Sequence, residues 1–153
     1  MKNFEDFGLD DRIGKSITAL GFEKTTPIQA EAIPPLMEGR DIIGQARTGS
    51  GKTAAFGLPL LHSVIDAKRG VKALVMAPTR ELALQVTDAL ESYSKHLKVR
   101  MVTVYGGAPY PPQLKALRSG VSIVVGTPGR ILDHIERGSM DLSGLEMLVL
   151  DEA

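Results

Sequence analysis

Apolar positions along this chain follow two patterns, helical spacing and short near-continuous runs. Ile13, Ile17 and Leu20 recur at helical spacing and predict a helix over Asp10–Leu20, ended by Gly21. Thr26 and Pro27 then read as the N-cap and first residue of a second helix running towards Ala32. Pro34-Pro35 is expected to interrupt it or to start another short helix through Met37. Asp41-Ile42-Ile43-Gly44 reads as an apolar strand, and Ala54-Ala55-Phe56 as the start of a helix. From there the chain alternates. Strands are expected over Val71–Met76, Val99–Val104, Val121–Val125 and Leu145–Leu150, with helices over Glu81–Ser92, Gln113–Leu117 and Ile131–Glu136 between them. Short, near-continuous apolar strands separated by helices predict an α/β fold, a parallel sheet with helices on both faces. Gly and charge are spread evenly, with no linker or repeat, so a single α/β unit is expected.

Composition narrows the classes. At 153 residues the chain is one domain or part of one, and 43% hydrophobic residues suffice for a sizeable core. Eighteen basic residues balance eighteen acidic ones, so any nucleic-acid site must be a local surface rather than a general positive field. The absence of Cys excludes disulfides, thiolate metal sites and Cys nucleophiles. The polar start, Met1-Lys2-Asn3-Phe4-Glu5-Asp6, is unlike a secretory signal, and no apolar run approaches the ~20 residues of a spanning helix. A soluble, cytoplasmic protein is expected.

The chemistry begins at Ala46-Arg47-Thr48-Gly49-Ser50-Gly51-Lys52-Thr53. Glycines at this spacing let the backbone curl so that successive N–H groups face phosphate oxygens. Lys52 supplies a point charge for the outer phosphates, the Thr53 hydroxyl suits Mg²⁺, and a helix N-terminus follows. The first position of the usual pattern is Ala46 rather than Gly.

Further candidates fall where strands end, the ligand side of a parallel sheet. Asp151 and Glu152 follow the last strand: Asp151 can hold Mg²⁺ through its water shell, and Glu152 can orient the water that attacks a γ-phosphate. Pro78-Thr79-Arg80-Glu81-Leu82-Ala83, Gly106-Gly107 and Thr127-Pro128-Gly129-Arg130 follow the other strands. Thr79 and Thr127 suit helix caps, and the arginines suit ordinary ion pairs. Equally, hydroxyls, helix N-termini and arginines on one face can hold a phosphodiester backbone, which glycines let approach closely. His62, His96 and His134 lack ligand spacing and read as surface or helix positions; Tyr93, Tyr105 and Tyr110 read as packing, and Pro109-Tyr110-Pro111-Pro112 as a stiff loop.

With these residues placed, the chain resembles the first motor domain of a DEAD-box RNA helicase, and six motifs stand in that family's order. Gly21-Phe22-Glu23-Lys24-Thr25-Thr26-Pro27-Ile28-Gln29 is similar to its Q motif. The resemblance implies that Gln29 bonds the adenine edge, Phe22 packs near the ring, Thr26 supports the phosphate loop, and Phe4 stacks by the base. The Ala46–Thr53 cradle matches the family's form, which accepts Ala first. Pro78, Thr79 and Arg80, Gly106 and Gly107, and Thr127, Pro128, Gly129 and Arg130 match its RNA-binding motifs. Asp151-Glu152-Ala153 matches three letters of the name-giving motif.

The resemblance implies a RecA-like P-loop domain, with 1–40 as the Q-motif region and N-terminal helices and 41–153 as the P-loop core. It implies ATP and Mg²⁺ as cofactors, RNA as a partner held without sequence preference, and local unwinding or remodelling of RNA by two motor domains. The fourth DEAD letter, the Ser-Ala-Thr motif and the second domain with its Arg finger are not in this sequence. The sheet is therefore expected to be incomplete towards its C-terminal end, with the strand between the cradle strand and the Asp-Glu strand missing. The isolated chain is expected to be deficient in hydrolysis and unwinding, and marginally folded. Two other readings are a non-catalytic nucleotide- or RNA-binding module and a different P-loop enzyme; Gln29 with Phe22 argues against a GTPase, which needs an acidic partner for guanine.

Overall fold

Four of the apolar runs pair in one parallel sheet. The computed structural model describes residues 3–152. Its strands are β1 (Ala73–Met76), β2 (Met101–Val104), β3 (Ile123–Gly126) and β4 (Met147–Leu150), in the order β2-β3-β1-β4. The helices are α1 (Asp11–Ala19), α2 (Pro27–Met37), α3 (Lys52–Val64), α4 (Arg80–Tyr93), α5 (Tyr110–Arg118) and α6 (Pro128–Glu136). The described residues up to His62, together with Ala89–Leu97, form one compact unit; Ser63–Asp88 and the described residues from Lys98 onward form a second. α3 and α4 each begin in one unit and end in the other.

In the sheet unit, Leu74, Val124 and Val102 share one row and Val75, Val125 and Thr103 the next, so they face opposite sides. Leu74, Val124 and Val104 pack with Val71, Val121, Ile131 and Met140, and with Ala116 and Leu117 of α5. On the other face Thr87 of α4 lies 2.7 Å from the Thr103 hydroxyl. Helices thus cover both faces. β4 differs: Leu148 shares the row of Leu74, yet Leu148 is 53% and Leu150 58% exposed.

In the helical unit, Ile13, Ile17, Ile33, Leu58, Leu60, Leu61 and Leu90 are buried. A Cβ at Gly57 would lie 3.0 Å from Leu90 Cδ2, so α3 passes close to the end of α4. Phe4, in a single 3₁₀ turn over Phe4–Phe7, packs on Phe22 at 5.4 Å, and Phe22 packs on Tyr93 at 5.8 Å. Asp10 caps α1 by accepting from the Arg12 N–H at 2.9 Å, and its main-chain N–H donates to His62 Nδ1 at 3.2 Å. The Arg12 guanidinium and main-chain N–H hold the Asp10 carboxyl down at about 2.

Three expectations are corrected. Asp41–Gly44 forms no strand; no described strand lies beside it to take its hydrogen bonds, and Ile43 is fully exposed. α2 runs unbroken through Pro34 and Pro35. Tyr110, Pro111 and Pro112 form the first turn of α5, where a missing N–H costs nothing, rather than a loop.

Candidate nucleotide cradle and strand-end surface

The glycine-rich loop belongs to the helical unit. Gly49 and Gly51 take φ of +81° and +86°, the left-handed conformation the loop needs to turn its N–H groups to one side. Lys52 and Thr53 open α3, whose first N–H groups lie beyond intrahelical acceptors. Ala46 and Ser50 are half-buried, while Arg47, Thr48 and Gly49 are exposed.

Gln29 is 4% exposed and joins the start of α2 to the glycine-rich loop. Its Oε1 accepts from the Thr26 N–H at 2.9 Å, and its Nε2 donates to the Gly51 carbonyl at 3.1 Å. A Cβ at Gly51 would fall on Gln29 Nε2 and lie 3.0 Å from Thr26 Oγ1. The hydroxyls of Thr26 and Ser50 are buried with no hydrogen-bond partner among the described residues. Two orphaned hydroxyls beside this loop suit an anionic ligand rich in acceptors, while the Ser50 N–H donates within the loop to the Arg47 carbonyl at 3.1 Å. Phe22 is half-buried, and Phe4 is buried among Phe7 and Phe22.

Mg²⁺ keeps most of its shell as water and phosphate, taking one or two protein oxygens. Thr53 and Asp151 are of that donor type. Among the described residues no three His, Cys, Asp or Glu side chains gather as a self-sufficient metal site. Each of the two, Thr53 in the helical unit and Asp151 in the sheet unit, is a donor suited to a metal that arrives with a phosphate ligand.

The remaining sequence candidates belong to the sheet unit. Met76, Val104, Gly126 and Leu150 stand in register, so the loops after all four strands leave from one end. The ladder continues one residue further: Ala77 donates to Gly126, Thr127 to Val104 and Asp151 to Met76, at 2.9, 3.0 and 2.9 Å. Asp151 is buried and Glu152 exposed, the latter with φ +59°. Ala153 lies outside the described residues.

Pro78, Thr79, Arg80, Gly106, Gly107, Pro128 and Gly129 are exposed on this surface, with Thr127 and Arg130 half-buried. The Thr79 hydroxyl caps α4, accepting from the Leu82 N–H at 3.2 Å. Thr127 is the N-cap residue of α6 yet makes no side-chain cap, so its hydroxyl is not spent on the helix. Arg80 lies 4.9 Å over the Tyr105 ring, and Arg130 4.0 Å over Tyr110. Gly107 has φ +84° and open space where a Cβ would stand.

A polar network behind these loops was not foreseen. Arg130 Nη1 donates to the Ala108 carbonyl at 3.0 Å and to Gln113 Oε1 at 3.2 Å. Gln113 Nε2 donates to the Tyr105 carbonyl at 3.3 Å. His134, expected at a surface or helix position, lies in α6 and is fully buried: its Nε2 is 2.8 Å from Gln113 Oε1 and its Nδ1 2.8 Å from Ser139 Oγ. Burial first, then the Arg130 charge, pushes its pKa below the ordinary 6.5, while Asp133 pulls the other way. The neutral ring with its proton on Nε2 matches an amide oxygen that can only accept. The i, i+4 spacing of Arg130 and His134 was the available signal.

A parallel sheet with covering helices, ligand-type residues at its C-terminal ends, and a glycine-rich loop opening a helix define the P-loop nucleotide-binding class. The family model for the DEAD/DEAH box helicase matches residues 26–153, and the chain belongs to that family. It is 58% identical over 151 residues to the ATP-dependent RNA helicase DeaD of Klebsiella pneumoniae, covering 98% of this chain and 24% of that protein. It is 54% identical over 155 residues to the ATP-dependent RNA helicase CshA of Listeria monocytogenes, covering all of this chain and 29% of that one. The solved structure of a DEAD box protein from the hyperthermophile Methanococcus jannaschii superposes with a TM-score of 0.91 at 45% identity, over 97% of this chain and 40% of that one. The chain thus spans about a quarter of the curated relatives it matches. Among the described residues no helix is long and apolar enough to cross a membrane.

Proposed function

We propose that this chain is the ATP- and RNA-binding part of an ATP-dependent RNA helicase that unwinds or remodels RNA locally in the cytoplasm, together with a second motor domain. The Thr26–Gln29–Gly51 junction carries the nucleotide half. Gln29 has one amide hydrogen and one oxygen lone pair left after its two bonds. Adenine offers the matching edge, an N6 donor beside the N7 acceptor, whereas guanine sets its O6 acceptor against the amide oxygen. Thr26 and Ser50 then take up phosphate or bridging water, with Phe22 and Phe4 on the base side. Lys52, Thr53 and the amides of Ala46–Gly51 hold the phosphates. Asp151 receives the Mg²⁺ ion through water. Bound Mg²⁺ supplies charge neutralisation at the transferred phosphate, and Glu152 orients the water.

The strand-end surface carries the RNA half. Arg80 and Arg130, the Thr127 hydroxyl, the α4 and α6 N-termini, and the open Gly106-Gly107 backbone all suit sugar and phosphate rather than base edges. Residues 1–40 serve base selection and 41–153 the phosphate and RNA contacts.

Calorimetric titration with ADP and GDP tests the nucleotide half. An ADP preference of about ten- to a hundredfold is expected from one bidentate edge contact. Equal affinity, or binding of neither, would overturn it. RNA-stimulated phosphate release by the full protein, abolished by Lys52→Ala, separates the enzyme from a passive binding module.

A further inference from the structure

We propose that Gln113 is a positioning residue for RNA, locked by His134, which fixes Arg130 and the Gly106-Gly107 turn as one phosphate-gripping unit. This rests on the reading of the strand-end surface as the RNA face. The two carbonyls that bracket the Gly-Gly turn, those of Tyr105 and Ala108, are both held from behind, the first by Gln113 Nε2 and the second by Arg130 Nη1. Gln113 Oε1 also receives Arg130 Nη1, so one buried amide ties the turn after β2 to the first turn of α6.

The amide orientation is fixed chemically. Reversed, it would set its oxygen against the Tyr105 carbonyl and its NH₂ against the Arg130 guanidinium. His134 adds a second donor to Oε1 from a fully buried ring, itself held by Ser139. The hydrogen bonds of Arg130 to Ala108 and to Gln113 both use Nη1, while Tyr110 lies against the guanidinium face. That arrangement leaves Nε and Nη2 as a side-by-side pair of donors, the geometry that takes a phosphate in two bonds. Without Gln113, Arg130 keeps its charge but loses its aim, and the exposed glycine turn loses one of its two anchors.

The test uses the full protein and a fluorescein-labelled single-stranded oligouridine, with affinity measured by anisotropy between about 50 and 200 mM salt. Arg130→Ala is expected to weaken binding about tenfold. It should also flatten the slope of log affinity against log salt by about 0.7, one phosphate contact on a single strand. Gln113→Leu, which keeps the buried volume, should lose about as much and flatten the slope equally, although it removes no charge. The double variant should be no weaker than Arg130→Ala alone. Gln113→Asn keeps the amide but shortens its reach, and should show the same two effects in a more conservatively altered protein.

If Arg130→Ala weakens and flattens binding while both Gln113 variants keep the parent slope, the inference is overturned and the RNA face stands. Losses that add in the double variant would likewise reduce Gln113 to a packing residue. If the parent protein binds no RNA, or Arg130→Ala changes nothing, the reading of the surface fails and this inference with it.

Discussion

Gly51 carries two constraints at once. Its φ of +86° costs an L-residue about 1–2 kcal/mol, and a Cβ there would fall on the amide of Gln29. Gly49 has a similar φ, +81°, but nothing within 4 Å of a Cβ. Gly49→Ala therefore measures the backbone cost alone, and Gly51→Ala that cost plus a broken Thr26–Gln29–Gly51 junction. We expect Gly49→Ala to lower unfolding free energy by about 1 kcal/mol, and Gly51→Ala by about 2–3 kcal/mol with ADP binding lost. Denaturant titration and calorimetry on the two variants check it; equal effects would show that the junction contributes nothing. His134 makes a separate prediction, on pH. Its folded pKa lies below 6.5, so as pH falls through 6.5 the unfolded chain takes up a proton that the folded chain refuses. The His134 contribution is thus fully present above 6.5 and declines on acidification until the folded ring also protonates. The charges that face the ring are Arg130, Asp133 and Arg137. His134→Gln should flatten stability against pH between about 7 and 5, measured by urea midpoints at each pH.

Elements were legible where local pattern and tertiary burial agree. The runs that became β1 to β4 are apolar on both faces, and each was found with its C-terminal end within a residue. Their N-terminal ends begin two residues later than the hydrophobic run, because pairing starts only where neighbours come into register. Asp41–Gly44 holds an apolar pair, Ile42-Ile43, and forms no strand: Asp and Gly flank the pair, and no described strand lies beside it. Pro34 and Pro35 remove two N–H donors, but Ile33 and Ala32 are buried, and Glu38 and Arg40 donate back to the two proline carbonyls, closing the turn. The cradle and strand-end motifs were legible from short strings. The Gln113–His134 network was not, because it joins residues 21 apart that share no pattern. Gly126 tests the element scale directly. In β3, a Cβ at Gly126 would lie 2.6 Å from both Val104 Cγ2 and the Val104 carbonyl, and 3.0 Å from Ile131. Gly126→Ala should force β3 from β2 and α6, at about 1–3 kcal/mol of stability. RNA affinity should fall because Gly106-Gly107 and Thr127–Arg130 hang from those strand ends, while ADP affinity is kept. Loss of both affinities in equal measure would mean general unfolding instead.

For the molecule as a whole, the uncovered surface is as informative as the site. β4 has β1 on one side and no described strand on the other, so it presents a row of unpaired N–H and C=O groups. That edge is apolar as well: Leu148 and Leu150 stand on the face that carries the sheet unit's core, and both are more than half exposed. Leu132 and Ile135 of α6 are exposed too. Natural edges are blunted by charge, proline or bulges, and β4 has none of these within Met147–Leu150. A formal net charge of zero removes the repulsion that would keep copies apart. A polypeptide of these 153 residues should therefore self-associate with rising concentration, through β4. Leu148→Lys with Leu150→Lys puts two like charges on that edge at positions that lose little packing. The pair should suppress association in light scattering while shifting unfolding free energy by no more than about 1 kcal/mol. Association unchanged by the two lysines would place the sticky surface elsewhere. If the lysines instead collapse the fold, Leu148 and Leu150 contribute more to the sheet unit's core than their exposure implies.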